Sequence, residues 1–367
     1  MKLVQDITNL SGKRALVRVD FNVPVSAGKV IDDFRIKESL PTIELLRKKG
    51  ASVILISHFE GGGKTLAVVA EYLKKYFPVS FIPNYSSPDF SKNLQEGEVV
   101  LCENLRQNLG EKENSEEFVK NLAALGDIFV NEAFSVSHRE HSSVVGVPKL
   151  LPSYAGLRFQ SEYENLSDAF HPVQPFLFAL GGAKFDTKFS LIEKFVSLAD
   201  FVFVGGALAN NFFLKKGYSI GKSLHSEGNF NIDNLLSNRK IVLPLDVVVQ
   251  DGESVSVKKP EEVTNGDIIV DCGKETVEML KQYLKQSKTV LWNGPFGAYE
   301  KGFKKSTNLF AEAIAQSSAR SIVGGGDTIA SVSSLGIFDK FSFVSTAGGA
   351  MLDFLSKGTL PGIDALN

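Results

Sequence analysis

The residues best suited to chemistry lie in the segment SIVGGGDTIAS, residues 321–331. A short apolar strand ends at Val323, three glycines follow it, and a helix is predicted to begin near Asp327. This order places bare backbone N–H groups and a helix N-terminus where an anion can approach closely. A carboxylate would repel an isolated pyrophosphate, but it helps to hold a magnesium ion that accompanies a nucleotide. The segment therefore predicts a site for a magnesium-bound nucleotide.

Glycine-rich turns of this kind are also typical of helices that simply pack closely on a strand. The pattern, however, recurs in the second half of the chain, each time at the end of an apolar run. The segments are FLFALGGAK (176–184), FVFVGGALA (201–209), VLWNGPFG (290–297) and FSFVSTAGGAM (341–351). Several strands that end in bare backbone at one sheet edge form the crevice in which open parallel sheets bind nucleotides.

The strands predicted in the first half end in polar side chains instead. The residues that follow these strands are Asp20 and Asn22, Ser57 and His58, Glu103, Asn104 and Arg106, and Asn131, Glu132, His138 and Arg139. Seven of the nine arginines of the chain lie at or before Arg158. The arginine fork suits bidentate recognition of phosphate, and Arg35, Arg106 and Arg139 each lie beyond a predicted strand. A small phosphorylated acid is therefore the predicted ligand of this half.

Strands and helices alternate through both halves, which predicts parallel sheets covered by helices. In the first half, for example, Pro41–Lys49 is predicted as a helix that begins with its proline. Pro152 and Pro172 bracket a helical segment that breaks the alternation, and the pattern restarts at Phe176. We therefore predict an α/β fold of two Rossmann-like three-layer domains with parallel sheets, joined by an interdomain helix. The predicted bounds are 1–151 for the first domain, 152–172 for the connection and 173–353 for the second domain.

The composition limits the remaining classes. At 367 residues the chain is long enough for two domains with cores of their own. A net charge of −2 argues against a nucleic-acid partner, and no apolar run approaches the roughly 20 residues of a membrane helix. No signal peptide is recognised, and Cys102 and Cys272 lie in apolar runs without the spacing of a disulfide framework or a zinc site. We expect a cytoplasmic protein with reduced, buried cysteines.

Several distinctive segments occur in collinear order along the chain. They are RVDFNVP (18–24), DDFRI (32–36), ENLR (103–106), AFSVSHREHSS (133–143), GGAKFDTK (181–188), WNGPFGAYE (292–300), GGGDT (324–328), STAGGA (345–350) and LPGIDAL (360–366). In these segments the chain resembles the phosphoglycerate kinase family from end to end. The family fold agrees with the two predicted halves, and it implies that a C-terminal tail, 354–367, returns to the first domain.

The resemblance implies reversible phosphoryl transfer between MgATP and the carboxylate of 3-phosphoglycerate, giving ADP and 1,3-bisphosphoglycerate. The implied phosphoglycerate site consists of Asp20, Phe21, Asn22, Arg35, His58, Arg106 and Arg139. The implied nucleotide site consists of Lys184, Lys188, Gly205, Gly206, Asn293, Pro295, Glu300, Gly325, Gly326, Asp327 and Thr328, with Mg²⁺ on Asp327. Charge on the moving phosphoryl group is expected to be stabilised by Arg35, Lys184 and the amides of Gly348 and Gly349. The family also implies a monomer, and we expect the two ligands together to close the molecule about 152–172.

The chain departs from the family pattern at three places: Gly61 stands for an arginine, Glu132 and Ser135 stand for aspartate and glycine, and Ala347 stands for a glycine. The loss of the arginine predicts phosphoglycerate binding that is about 10- to 100-fold weaker. We expect partial compensation by the amides of Gly61, Gly62 and Gly63 and by Lys64. Glu60 opposes this if it points inward, but a long acidic side chain on a glycine-rich loop can swing to solvent. The change to Ala347 affects the transfer rate in this interpretation.

Other interpretations stay open. HFEGGGKT, residues 58–65, nearly matches the phosphate-binding loop GxxxxGK[ST] of P-loop nucleotidases, but His58 occupies the position of the first glycine. A binding or scaffold protein would keep the fold without turnover. A dinucleotide dehydrogenase is less favoured because GGGDTI lacks the third small residue of GxGxxG. A metal pair of His138 and His141 is less favoured than phosphate binding or core packing.

Overall fold

The computed structural model describes residues 1–60, 65–228 and 230–367; segment 61–64 and Asn229 lie outside the described residues. The chain forms two compact units. The first consists of Met1–Glu164 and Lys357–Asn367, and the second of Asn165–Ser356. Within the described residues, each unit is built on a six-stranded parallel sheet. This confirms the predicted parallel α/β class.

The first unit surrounds a parallel sheet near the start of the chain. Its strands are β1 (Arg14–Arg18), β2 (Val25–Ser26), β3 (Lys29–Val30), β4 (Ser52–Ile56), β5 (Ser80–Ile82), β6 (Val99–Cys102), β7 (Ile128–Asn131) and β8 (Ser153–Ala155). Its helices are α1 (Phe34–Lys48), α2 (Ala67–Leu73), α3 (Asp89–Lys92), α4 (Leu109–Glu113), α5 (Glu116–Ala123) and α6 (Leu157–Ser167), which runs on into the second unit. The parallel sheet has the order β5-β6-β4-β1-β7-β8, and β2 and β3 form a separate hairpin.

The second unit contains a parallel sheet and a smaller antiparallel one. Its strands are β9 (Phe176–Leu180), β10 (Phe201–Val204), β11 (Ile241–Val242), β12 (Val247–Asp251), β13 (Ser254–Lys258), β14 (Ile268–Cys272), β15 (Thr289–Asn293), β16 (Arg320–Gly324) and β17 (Phe343–Val344). Its helices are α7 (Phe185–Leu198), α8 (Leu208–Lys215), α9 (Ile232–Leu236), α10 (Lys274–Gln286), α11 (Lys305–Ala315), α12 (Gly326–Ser334) and α13 (Gly349–Lys357). The parallel sheet has the order β11-β10-β9-β15-β16-β17, and the antiparallel sheet the order β13-β12-β14.

Apolar strands and capped helices account for these elements. The strands β4 (SVILI) and β9 (FLFAL) are buried along their whole length, as expected for parallel strands covered on both faces. Helix α5 begins after Ser115, whose hydroxyl accepts a hydrogen bond from the N–H of Phe118. Cys102 and Cys272 are free and buried, as predicted. Among the helices of the described residues, none combines the length and the apolar character needed to cross a membrane.

The last residues of the chain belong to the first unit. Helix α14 (Pro361–Asp364) lies beside the segment that follows β7, where the N–H of Gly362 donates to the carbonyl of Ser137 at 2.8 Å. Three apolar side chains of this segment are buried: Leu360, Ile363 and Leu366. The segment is therefore part of the core of the first unit.

Helix α1 begins at Phe34 and not at Pro41, so the expectation that the proline opens this helix is wrong. Proline lacks an N–H and removes one hydrogen bond from a helix interior. The helix continues through Pro41 because Ile36, Ile43 and Leu46 form one buried face on both sides of it, and burial of this face offsets the lost bond. The turns of α1 before Pro41 include Arg35, and so they position a predicted site residue.

The predicted connection 152–172 contains a strand as well as a helix. Strand β8 pairs in parallel with β7, with Tyr154 opposite Val130, and forms the edge of the first sheet. The helix begins only at Leu157. A strand this short gives no periodicity signal, which explains why the sequence did not reveal it. The division of the chain at 151 and 173 and the hinge role of 152–172 stay predictions.

Candidate active site

The carboxyl ends of β1 and β7 meet where the strand order of the first sheet reverses. Along the chain, β4 is added on one side of β1 and β7 on the other. Ligands of open parallel sheets bind at such a switch point. Asp20 lies just beyond β1 and Ser135 just beyond β7, and the Ser135 hydroxyl donates to Asp20 Oδ2 at 2.5 Å. The first predicted site residue is therefore held at the expected edge.

Asp20 in turn holds Arg35. The Nη1 atom of Arg35 lies 2.9 Å from Asp20 Oδ2 and donates to the carbonyl of Asn22 at 3.2 Å. Burial alone would raise the pKa of Asp20, but the nearby positive charges, Arg35 foremost, hold it below its ordinary value. The carboxylate therefore stays ionised and fixes the guanidinium. Because these contacts use only Nη1, the other N–H groups of Arg35 can donate to an anion.

His58 lies just beyond β4 and is buried. The Nη2 atom of Arg18 lies 3.2 Å from His58 Nδ1. Burial, and then the charge of Arg18, lower the pKa of His58 to about 3, so the ring is neutral at physiological pH. Arg18 is missing from the predicted site, although a charged residue between the apolar Val17 and Val19 was a signal that could have revealed it.

Arg106 is already paired. Its Nη1 atom forms an ion pair with Glu60, and the N–H of Glu60 donates to Asn22 Oδ1 at 2.9 Å. The side chain of Glu60 therefore points towards Arg106, although it is 61% exposed. Burial, and then the charge of Arg139, lower the pKa of Arg106. An anion that binds Arg106 must share or displace the Glu60 carboxylate.

The other predicted residues of this site differ in exposure. Arg139 is exposed, whereas Phe21 is buried and its N–H donates to the Ser57 hydroxyl at 3.0 Å. Phe21 therefore holds the backbone between Asp20 and Asn22 instead of offering a side chain to a ligand. The predicted compensation by residues 61–64 falls outside the described residues.

Glu132, next to this edge, connects α1 with the start of α6 by hydrogen bonds. Its Oε1 atom accepts from the Thr42 hydroxyl at 2.8 Å and from the N–H of Arg158 at 3.0 Å, at the start of α6. Its Oε2 atom is buried and has no hydrogen-bond partner within the described residues. Burial raises the pKa of Glu132 to about 8. This carboxyl group therefore holds a helix N-terminus and carries a proton near neutral pH.

In the second unit, the strand order reverses between β9 and β15. The N–H of Gly181, just beyond β9, donates to the carbonyl of Asn293 at 2.9 Å, and the N–H of Gly182 donates to the carbonyl of Pro295 at 2.8 Å. A Cβ atom on Gly181 would lie 2.7 Å from the carbonyl oxygen of Gly294 and closer still to that of Pro295. Only glycine fits this close approach of two backbone segments.

Lys188 and Asn293 lie at the centre of this edge and are buried. Lys188 Nζ donates to the carbonyl of Gly181 at 2.7 Å and lies 3.5 Å from Asn293 Oδ1. Burial lowers the pKa of Lys188 to about 8, and the carboxylate of Asp327 opposes this shift. The structure thus brings together Lys188, Asn293 and Asp327, which come from three separate segments of the chain.

The glycine-rich segment follows β16 as predicted. Gly325 has φ = 100°, a left-handed conformation that favours glycine, and α12 begins at Gly326. The hydroxyl of Thr328 accepts from the N–H of Gly294 at 2.9 Å and ties α12 to the end of β15. Burial, and then Glu300, raise the pKa of Asp327, whereas Lys188 lowers it. A carboxylate at a helix N-terminus beside a lysine suits a hard cation that carries phosphate.

The remaining predicted residues of the second unit lie around these. Lys184 immediately precedes α7 and its side chain is exposed. The N–H of Gly205, beyond β10, donates to the carbonyl of Leu180 at 2.8 Å, and Gly206 follows it. Gly348 and Gly349 lie at the start of α13. Each of these residues therefore follows a strand of the sheet or opens the helix that comes next.

No group of three or more His, Cys, Asp or Glu side chains within the described residues could hold a metal ion by itself. His141 Nδ1 lies 3.9 Å from Glu111 Oε1. The P-loop alternative depends on residues 58–65, of which 61–64 lie outside the described residues.

An arginine-rich edge in one parallel α/β unit and a glycine-rich edge with a lysine and a carboxylate in the other define the class of a nucleotide-dependent phosphotransferase. The family model for phosphoglycerate kinase matches residues 4–358. The chain belongs to the phosphoglycerate kinase family.

Relatives and solved structures agree with this. The phosphoglycerate kinase of Caulobacter vibrioides is 41% identical over 388 residues, with 98% of both chains covered. The structure of phosphoglycerate kinase from Coxiella burnetii has a TM-score of 0.85 at 38% identity and covers 99% of this chain and 97% of its own. That from Pyrococcus horikoshii OT3 has a TM-score of 0.87 at 31% identity, with 100% and 98% covered. These findings favour the kinase over the nucleotidase, dehydrogenase and scaffold alternatives.

Proposed function

We propose that this chain transfers the γ-phosphoryl group reversibly between ATP, bound with Mg²⁺, and the carboxylate of 3-phosphoglycerate. The observation that carries the proposal is the cluster of Lys188, Asn293 and Asp327 at the switch point of the second sheet. A neutral or apolar ligand would not require a buried lysine and a carboxylate among bare backbone amides.

The acceptor is assigned to the edge of the first unit. Arg35, fixed by Asp20, donates to an anionic oxygen of phosphoglycerate, and His58 and Asn22 donate to other oxygens. Arg106 and Arg139 supply positive charge for the phosphate group. Binding of the acceptor therefore depends on at least one guanidinium group, that of Arg35, which is already oriented before the acceptor arrives.

The nucleotide is assigned to the edge of the second unit. Lys188 meets its phosphates, the amides of Gly325 and Gly326 approach the phosphate oxygens, and Asn293 and Glu300 contact the nucleotide. Gly205, Gly206 and Pro295 shape the backbone around it, and Thr328 holds the start of α12 in place. Asp327 would hold Mg²⁺, which neutralises phosphate charge when it is bound.

The transfer itself needs no general base, because the acceptor carboxylate is already ionised. A carboxylate oxygen forms a bond to the γ-phosphorus, the bond from that phosphorus to the bridging oxygen breaks, and the electron pair leaves with ADP. Lys184, Arg35 and the amides of Gly348 and Gly349 stabilise the negative charge of the moving group. Catalysis thus consists of positioning and charge neutralisation.

Motion and assembly complete the proposal. We assign a hinge role to 152–172, and small-angle scattering with neither, one and both ligands tests it; an unchanged radius of gyration with both ligands bound would refute closure. The monomeric state and the cytoplasmic location expected from the sequence are predictions of the same kind.

A coupled assay with ATP, Mg²⁺ and 3-phosphoglycerate tests the proposed activity directly. We expect ADP formation that requires all three components and that stops when Mg²⁺ is chelated. Nucleotide hydrolysis without 3-phosphoglycerate would favour a nucleotidase. Nucleotide binding without turnover under any condition would favour a scaffold.

A further inference from the structure

Arg18 is a buried arginine on a central strand of the first sheet. It ends β1 and is only 1% exposed. Its donors are directed to partners inside the first unit: Nε donates to the Ser143 hydroxyl at 2.9 Å and Nη1 to the carbonyl of Val19 at 2.5 Å. The Nη2 atom lies 3.2 Å from His58 Nδ1. A guanidinium buried in this way has no surface to offer to a ligand.

The chemistry of the two groups decides which of them donates. A guanidinium remains protonated in proteins and has donors but no acceptor. The Nδ1 atom of His58 must therefore accept, and so it carries no proton. The ring proton of a neutral His58 is then on Nε2. No described residue other than Arg18 makes a hydrogen bond to this ring.

We propose that Arg18 is a positioning residue for the acceptor: it holds His58 as the neutral Nε2–H tautomer, so that Nε2–H donates to an oxygen of phosphoglycerate. This inference rests on the proposed function and assigns a role within the same site. Arg18 acts through His58 and does not itself touch the substrate.

A chain of contacts holds Arg18 in this orientation. The Ser143 hydroxyl, which accepts from Arg18 Nε, donates to Glu111 Oε1 at 2.6 Å, and the N–H of Ser143 donates to Glu111 Oε2 at 3.0 Å. Glu111 is buried, and its carboxyl group provides the counter-charge that favours the guanidinium. His141 lies 3.9 Å from the same carboxylate. The orientation of His58 thus depends on residues far away in sequence.

The charges around His58 oppose a second proton on its ring. Burial acts most strongly, followed by Arg18 from β1, and Arg106 and Arg35 act in the same direction from two other segments. Asp20 opposes them, but the pKa of His58 still falls to about 3. The ring therefore keeps one proton and one tautomer across the physiological range. A neutral Nε2–H donor at this position can therefore bind an anion without changing its own protonation state with pH.

The direct test is the tautomer of His58 in the ligand-free wild-type protein. Long-range ¹H–¹⁵N spectra distinguish the protonated from the unprotonated ring nitrogen. The chain has five histidines, so the His58 signals are assigned by their loss in His58→Gln. We expect a protonated Nε2 and an unprotonated Nδ1 at pH 7. An Nδ1–H tautomer or an imidazolium would overturn the proposal, and this measurement requires no variant of Arg18 that folds.

A double-mutant cycle tests the route of action. Lysine keeps the charge of Arg18 but cannot reach Ser143 and His58 together, so Arg18→Lys should raise the KM for phosphoglycerate about 10-fold. In a His58→Ala background the same change should have less than about a twofold effect, since the contact it disturbs is already gone. Effects that multiply in the double variant would mean that Arg18 acts independently of His58, and would overturn the proposal. An unchanged KM in Arg18→Lys alone would overturn it as well, because lysine keeps the charge and only the hydrogen-bond geometry is lost.

The matched control is Arg14→Lys on the same strand. Arg14 pairs with Asp127 at 2.8 Å, away from the site, and its replacement should leave the KM for phosphoglycerate unchanged. These experiments test the proposed function and the role of Arg18 separately. Absence of phosphoryl transfer in the wild type refutes the proposed function, whereas the tautomer is read from the free protein and stands or falls independently.

Discussion

The two sheet edges present different chemical groups to a ligand. At the edge of the first unit, charged side chains lie in preformed pairs, such as Asp20 with Arg35 and Glu60 with Arg106. At the edge of the second unit, glycines and backbone carbonyls form the surface, and Lys188 bonds to a carbonyl. A ligand of the first edge must join or displace ion pairs, whereas a ligand of the second edge must fit a shape. Substitutions should therefore affect ligand binding through electrostatics at the first edge and through steric fit at the second.

The largest expected effect concerns the exposed lysine of the second edge. Lys184→Ala should lower kcat by about 100-fold or more, because in the proposed transfer its ammonium stabilises charge that develops only in the transition state. The KM for ATP should change much less. The matched control is Lys188→Ala in the first turn of α7, which removes a buried cation bonded to Gly181 and should mainly raise the KM for ATP. Steady-state kinetics of the two variants distinguish these roles. A Lys184 variant that loses only ATP affinity would contradict a role of Lys184 in the transfer step.

The next effect tests whether the second edge depends on shape. Gly181→Ala places a methyl group against two backbone carbonyls and should destabilise the protein by about 3 kcal/mol, with loss of nucleotide binding. Gly326→Ala is the control, because a Cβ atom there meets nothing within 4 Å. Urea unfolding measures the stability of both variants. Equal stability of the two variants would show that the close approach at Gly181 is not required.

A third prediction concerns the buried carboxyl group beside the first edge. Its pKa in the folded chain, about 8, lies above the ordinary value of 4.5, so the folded state keeps a proton that the unfolded chain releases. The stability from Glu132 is complete below pH 4.5 and is lost as the pH rises to about 8, with a slope of roughly 1.4 kcal/mol per pH unit. Glu132→Gln removes this titration, so its stability relative to wild type should increase between pH 5 and pH 8.

Unfolding curves at several pH values check this dependence. The exposed Glu113→Gln serves as control and should leave the pH profile unchanged. If the free energies of wild type and Glu132→Gln differ by a constant amount at every pH, then Glu132 is ionised in both states and the burial argument is wrong.

The smallest effect concerns the ion pair that occupies Arg106. Glu60→Gln frees the guanidinium and should lower the KM for phosphoglycerate by a factor of about 1.4 to 5, since an ion pair with an exposed partner is worth about 0.2–1 kcal/mol. Glu44→Gln is the control, because Glu44 pairs with Lys48 on the surface of α1. An unchanged or higher KM in Glu60→Gln would mean that Glu60 assists the acceptor instead of competing with it.

The same contrast explains what the sequence could predict. The second edge is encoded in consecutive residues, and so Gly325, Gly326 and Asp327 were recognised directly with their helix start. The pairs of the first edge join residues that are distant in sequence, such as Arg18 with Ser143 and Glu60 with Arg106. Residue type and spacing predict which side chains reach an edge, but not which of them pair there.

The fold shows similar limits. The hairpin of β12 and β13 was overlooked, although Asp251, the last residue of β12, is followed by Gly252 in the turn, a typical hairpin signal. Strand β8 is too short for a pattern, and the burial of one helix face overrode the usual effect of Pro41. Helix and strand types were therefore predictable where periodicity was long, and not where tertiary packing decided.

The C-terminal segment has a consequence for biosynthesis. Leu360, Ile363 and Leu366 complete the core of the first unit, yet they leave the ribosome only after all of residues 165–356. Residues 1–164 emerge before the second unit, and all of that unit must be translated before this packing partner exists. Premature termination near residue 356 would thus damage the half of the molecule that was translated earliest, while the most recently made unit would keep all of its own residues.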